Sequence, residues 1–137
     1  MFSVIMVPVD LSHLARLRRA LEVAADLARH YKAALHIVAV TTAAPGTVAP
    51  TPEAFDVRLH GLADEFGASH GLSVEAHTVI SHDPAADLED KLGETAHGLG
   101  ADLVVMSSHK PGLLEYIFAS HAGHFAAHTD LSVFIVR

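Results

Sequence analysis

Leu103-Val104-Val105-Met106-Ser107-Ser108-His109-Lys110-Pro111-Gly112 is the stretch on which the reading of this chain turns. Its first four residues are short, continuous and β-branched at the centre, which describes a buried strand. The small, polar residues after Met106 describe a loop, closed by an Ala119-Ser120-His121 turn, and Ala122 to His128 has helical spacing. Strand, small-residue loop and helix start together make a phosphate-holding geometry, because backbone N–H groups, hydroxyls and the positive end of a helix dipole converge there. Ser107, Ser108 and Ser120 offer hydroxyls, Lys110 a charge and Gly112 a backbone free to turn. The expectation is a loop that grips the phosphates of a nucleotide.

Outward from this stretch, strands and helices alternate. Phe2 to Val9 is a continuous apolar run ending at Asp10, as in a central parallel strand buried on both faces. Ser12 offers an N-cap for a helix to about His30, with Leu14, Leu17, Leu21, Ala24, Ala25 and Ala28 on its apolar stripe. Leu35 to Val40 is a second strand, and the proline-broken segment from Thr41 to Pro50 a surface loop. Thr51-Pro52-Glu53 combines a cap, a first-turn proline and a first-turn acid ahead of a helix that ends at Gly71. Ser73 to Ile80 is strand three; Asp83-Pro84 opens a helix closed by Gly98 and Gly100, with Leu88, Leu92, Thr95 and Leu99 inward. Ser132 to Val136 is the last strand.

This alternation predicts one α/β domain over residues 1–137: a five-stranded parallel sheet with helices on both faces. Ligands of such sheets sit beyond the strand carboxyl ends, where the strand order reverses. Asp10 and the loop from Ser107 both stand at strand carboxyl ends, so the fold is expected to bring them together.

Composition narrows the function. A net charge of −7 argues against non-specific binding to nucleic acid, which needs a basic surface. The absence of cysteine removes disulfides and thiolate chemistry. The apolar N-terminus lacks a basic flank and meets Pro8 and Asp10, so it reads as a strand and not a signal peptide. No apolar run approaches bilayer length, and a cytoplasmic protein without membrane insertion is expected.

With both ends of the site in view, the sequence resembles a universal stress protein domain over essentially its whole length. The resemblance rests on Val7-Pro8-Val9-Asp10-Leu11-Ser12, on Ala101-Asp102-Leu103-Val104-Val105-Met106, and on Ser108-His109-Lys110-Pro111-Gly112 through Ser120 and His128 to Ser132-Val133-Phe134-Ile135-Val136-Arg137. It implies strand order 3-2-1-4-5, as in flavodoxin-like and adenine nucleotide alpha hydrolase-like sandwiches, and ATP, with or without Mg2+, as ligand. By similarity Asp10 accepts from the adenine amine, Val40 packs near adenine or ribose, and Ser120 bonds a phosphate oxygen. Pro8, Val9, Ser12, Met106, Ser107, Ser108, His109, Lys110, Gly112, Ala119, His121 and Ala122 complete the implied binding set. ATP-binding relatives carry Gly-x2-Gly-x9-Gly-[Ser/Thr]. Aligning Ser120 with the family serine puts Ser107, Lys110 and Ala119 at the three glycines, with one residue fewer in the spacer. The Ser-His-Lys-Pro loop resembles a branch of the family that retains ATP binders.

Other features have plainer readings. Asp10 alone could be a strand-end carboxylate receiving N–H bonds from the next helix. Among 12 histidines, His121, His124 and His128 share a helical face, but neither HExxH nor cysteine accompanies them, and no metal site is assigned. Clustered histidines can also confer a response to mild acid. His13, His30, His60, His70 and His97 read as ordinary surface residues. No nucleophile elbow, paired-carboxylate signature or Walker motif is present, so no catalytic residue is assigned; Glu89 and Asp90 point to different helix faces, and Glu115 and Tyr116 read as helix or turn surface. The last strand is expected at the sheet edge, where an apolar rim invites a homodimer, with a tetramer as the larger option. The leading expectation is a nucleotide-binding regulatory domain acting through assembly or an unidentified protein partner. Its rivals are an interaction module with a degenerate pocket, suggested by Ala119, and a slow ATPase.

Overall fold

Ile5, Met6 and Val7 each have essentially no solvent exposure, although neighbours along a strand point to opposite faces of a sheet. Such a strand must be covered on both sides. In the computed structural model, which describes residues 1–108 and 117–137 and residues 117–120 by backbone alone, it is.

Five strands, β1 (Val4–Pro8), β2 (Ala34–Thr41), β3 (Val74–Ile80), β4 (Leu103–Ser107) and β5 (Ser132–Val136), form one parallel sheet in the order β3-β2-β1-β4-β5. Helices α1 (Leu14–Tyr31) and α2 (Pro52–His70) cover one face, and α3 (Pro84–Leu99) and α4 (Ile117–His128) the other. Alternate strand residues divide accordingly. Ile5, Val7, Leu35, Ile37, Leu103 and Val105 pack with Leu17, Leu21, Ala24 and Leu59; Met6, Val38, Val104 and Met106 pack with Leu88, Leu92, Ala122 and Phe125. The strand order reverses between β1 and β4. None of the described helices is long and apolar enough to cross a membrane.

Several ends follow from local chemistry. Thr51 caps α2 by accepting from the Ala54 N–H, and Pro52 takes the first turn, where its missing N–H costs nothing. Gly71 and Gly100 end α2 and α3 in the left-handed conformation. Lys32 ends α1 the same way at φ 55°, despite its side chain.

Other ends depart from expectation. Ser12 does not cap α1. A short 3-10 turn, Leu11–His13, comes first, and Asp10 caps it by accepting from the Ser12 N–H. That turn moves the N-cap of α1 to His13, which makes no side-chain cap bond, and Leu14, expected on the buried stripe, is the exposed first residue of α1, whereas Ala20 is buried. Asp83 precedes Pro84, but its carboxylate makes no cap bond; buried Ser81 accepts from the Asp83 N–H and donates to Asp87. In α3, Ala96 is buried and Thr95 is half-buried, its hydroxyl donating back to the Lys91 carbonyl. α4 starts at Ile117 and absorbs the expected Ala119-Ser120-His121 turn, since no glycine or proline interrupts 117–122.

Candidate functional site

β1 ends at buried Pro8, and the Val9 N–H donates to the Val38 carbonyl at 2.8 Å, which carries the chain straight out of the sheet. Asp10 is thereby delivered to the strand carboxyl ends. Its Oδ1 accepts from the Ser12 N–H at 3.0 Å and the Ser12 hydroxyl at 2.5 Å, and its Oδ2 lies 3.0 Å from His13 Nδ1. His13, read from the sequence as ordinary surface, is therefore part of this cluster. An Asp-Ser-His grouping suggests nucleophilic catalysis, but the geometry is wrong for it. The Ser12 hydroxyl and Asp10 both meet His13 at Nδ1, 3.0 Å away in each case. A relay needs opposite ring nitrogens, so that one accepts from serine while the other donates to the acid.

Asp10 and Ser12 line a cleft of about 240 Å³ with Val40, Thr41, Thr42, the 46–49 segment, Phe55, Pro84 and Leu88. Three of the expected binding residues, Asp10, Ser12 and Val40, are thus in one hollow. Thr42 and the Gly46-to-Ala49 loop, which the sequence presents only as a plain surface loop, also line it; the Gly46 N–H donates back to the Ala49 carbonyl. Phe55 and Leu88 carried a signal only as core residues of their helices. A larger hollow, about 670 Å³, runs between α3 and α4, lined by Glu89, Asp90, His97, His124 and His128 among others. The smaller one opens at the carboxyl ends of β1 and β2, beside the β1/β4 point where the strand order reverses and ligands of this architecture sit.

The remaining expected residues fall on the neighbouring strand or beyond it. β4 pairs with β1, so its carboxyl end adjoins that of β1. Met106 is buried in the core. Ser107, expected in the loop, is the buried last residue of β4, paired with Val136. The Ser108 N–H donates to the Val136 carbonyl at 2.8 Å and so is already used. His109, Lys110, Gly112, Glu115 and Tyr116 lie outside the described residues, as do the side chains of Ala119 and Ser120. Ala122 is buried in the core, and His121 faces Glu89.

The His121, His124 and His128 face does not converge on one point. His124 Nδ1 meets Glu89 Oε2 at 2.6 Å and His121 Nδ1 lies 3.2 Å from Oε1, whereas His128 stacks on His124 and turns Nδ1 to the His124 carbonyl. His70 is also no ordinary surface residue. Its ring stacks on Phe66, Nε2 meets Glu22 of α1 at 2.8 Å, and Nδ1 meets the Phe66 carbonyl at 2.9 Å. The hydrogen bond to the Glu22 carboxylate, then that to the carbonyl, raises its pKa above the usual 6.5.

A parallel sheet of this order, with Asp10 capping the turn after its first strand, matches a known lineage over the whole chain: residues 1–137 fit the Universal stress protein family. The chain belongs to that family. It is 26% identical to Universal stress protein G of Shigella flexneri over 148 residues, spanning all of both chains. A universal stress protein of Archaeoglobus fulgidus shares the fold at a TM-score of 0.72, 20% identity and full coverage of both chains. Two further neighbours were solved as complexes. One is a universal stress protein with cAMP, at TM-score 0.69 and 19% identity, covering 99% of this chain and 97% of that one. The other is a universal stress protein of A. fulgidus with dAMP, at TM-score 0.65 and 19% identity, covering 98% of each. At such identities the likeness establishes the fold, and the ligands belong to those proteins.

Proposed function

We propose that this chain is a cytoplasmic regulatory domain that binds an adenine nucleotide, ATP by preference and with or without Mg2+, in the Asp10 cleft. Occupancy then biases its assembly or the docking of a protein partner. One observation carries the reading: Asp10, Ser12 and Val40, from two different strand ends, line one hollow beside the β1/β4 switch point. Solved family members with cAMP and dAMP support the ligand class. At about 240 Å³ the cleft is smaller than the roughly 300–1,000 Å³ of drug-sized ligand sites. It suits the base and sugar, with the phosphates continuing toward the carboxyl end of β4 at Ser108. Asp10 has the adenine amine as its fourth acceptor contact, beside Ser12 and His13. Assembly proceeds through the β5 edge as a homodimer, with a tetramer as the larger form.

The crowding of Asp10 favours a second reading, in which Asp10 only caps the turn and the pocket is vestigial. Thermal unfolding with and without ATP and Mg2+ separates the two. At a hundred times its Kd a ligand stabilises by about 2.7 kcal/mol. That gain, lost in Asp10→Asn, is the expected result. An unmoved midpoint at millimolar ATP, AMP and cAMP alike leaves only the interaction module.

A further inference from the structure

We propose that His36, Glu75 and His77 form a divalent transition-metal site, with zinc as its ion, at the amino-terminal end of the β2–β3 pair. β2 and β3 run parallel with His36 opposite Glu75 and Val38 opposite His77. Side chains two apart on a strand share a face, and so do directly paired residues. The register alone therefore sets all three donors on the face covered by α3 and α4, where Val38 packs.

Their separations match a chelate. His36 Nδ1 lies 2.9 Å from His77 Nε2 and 3.5 Å from a Glu75 carboxylate oxygen, and His77 Nε2 lies 3.9 Å from that oxygen. Metal–donor bonds of about 2.0–2.1 Å at tetrahedral angles put donor atoms about 3.3–3.4 Å apart. Small side-chain rotations convert one triangle into the other. Two imidazoles and a carboxylate suit zinc, nickel or copper, whereas calcium and magnesium prefer oxygen alone. Zinc is the physiological choice, because the set resembles the three-ligand sites in which zinc keeps an open fourth position for water.

Burial is graded to match. His36 is 8% exposed and anchored in the sheet, the His77 side chain is 30% exposed, and that of Glu75 is 67% exposed, which leaves an entry path. With no ion between them, the two rings share a single ring N–H, one donating to the lone pair of the other. An ion replaces that one bond with two nitrogen ligands and one oxygen ligand. The site is several residues of β2, roughly 13 Å, from the Asp10 cleft, so it stands or falls independently of nucleotide binding.

Zinc titration of chelator-stripped protein, read by isothermal calorimetry against a competing chelator, tests it. One zinc per chain is expected, weakened at least about tenfold by His77→Gln and by Glu75→Gln. His124→Gln, which disrupts the separate Glu89 cluster, should leave the affinity unchanged. Both informative variants alter partly exposed residues, and a zinc-dependent rise in melting temperature, present in the parent and absent in His77→Gln, provides a second readout. No stoichiometric binding, equal affinity in His77→Gln, or a loss confined to His124→Gln overturns the assignment and leaves adventitious capture by surface imidazoles only.

Discussion

Two glycines in one helix show how much a single residue depends on what faces it. Gly61 and Gly67 both lie inside α2, where alanine is favoured by about 1 kcal/mol on propensity alone. A Cβ at exposed Gly61 meets nothing within 4 Å, whereas one at buried Gly67 stands 2.6 Å from the Leu72 carbonyl oxygen. Overpacking costs about 1–3 kcal/mol and backbone cannot yield as a side-chain tip does. Gly61→Ala should therefore raise stability by up to about 1 kcal/mol and Gly67→Ala should lower it, as urea unfolding will show; equal effects would contradict the packing. His70 offers a second residue-scale test. Both ring nitrogens face acceptors, so the protonated ring is the form the fold prefers. With its pKa raised above 6.5, its stabilisation is complete below that pH and fades as pH rises through the folded value. His70→Gln should remove a stability difference of no more than about 1 kcal/mol between pH 6 and 8. His77 acts oppositely. Burial, then the nearby His36, lowers its pKa, so its cost appears as pH falls below 6.5. A pH profile that His70→Gln leaves unaltered would dismiss the Glu22 bond as a contributor.

At the scale of elements, most ends were legible because their signals are local. Thr51-Pro52, Gly71 and Gly100 act within a turn of where they stand, and each sits where its sequence implies. Ser12 and Asp83 depart from expectation in one way: each donates its own N–H to the side chain two residues before it, Asp10 and Ser81 respectively, and that local turn, not a cap bond from Ser12 or Asp83, leads into the helix. β4 was legible as a buried strand but not in its partners. Asp102, just before it, accepts from the Ser3 N–H at 2.8 Å and the Val4 N–H at 3.0 Å, fastening the start of β4 to that of β1. No pattern in the sequence marks a bond across 98 or 99 residues.

For the whole molecule, the consequential feature is the sheet edge. Among the described residues β5 pairs with β4 on one side only, and Phe134 is 45% exposed. An apolar edge with free backbone groups favours pairing with a second copy through a two-fold axis. Phe134→Lys should convert the proposed dimer to a monomer in sedimentation equilibrium, while thermal stability at high dilution stays within about 0.5 kcal/mol, and a parent chain that already sediments as a monomer overturns the pairing. A dimer that persists unchanged places the interface elsewhere.

Periodicity, caps and breakers act over a few residues, and those alone determined an alternating α/β chain, its strand segments and the two-sided burial of its centre. The strand order came from likeness to relatives, and the pairings confirmed it. Only tertiary structure decided which distant side chains meet. His36 and His77 are 41 residues apart and became neighbours through strand register, just as Asp10 and Val40 came to share a hollow through adjacent strand ends. Register depends on how whole faces pack, so a chemistry built across strands leaves no local trace.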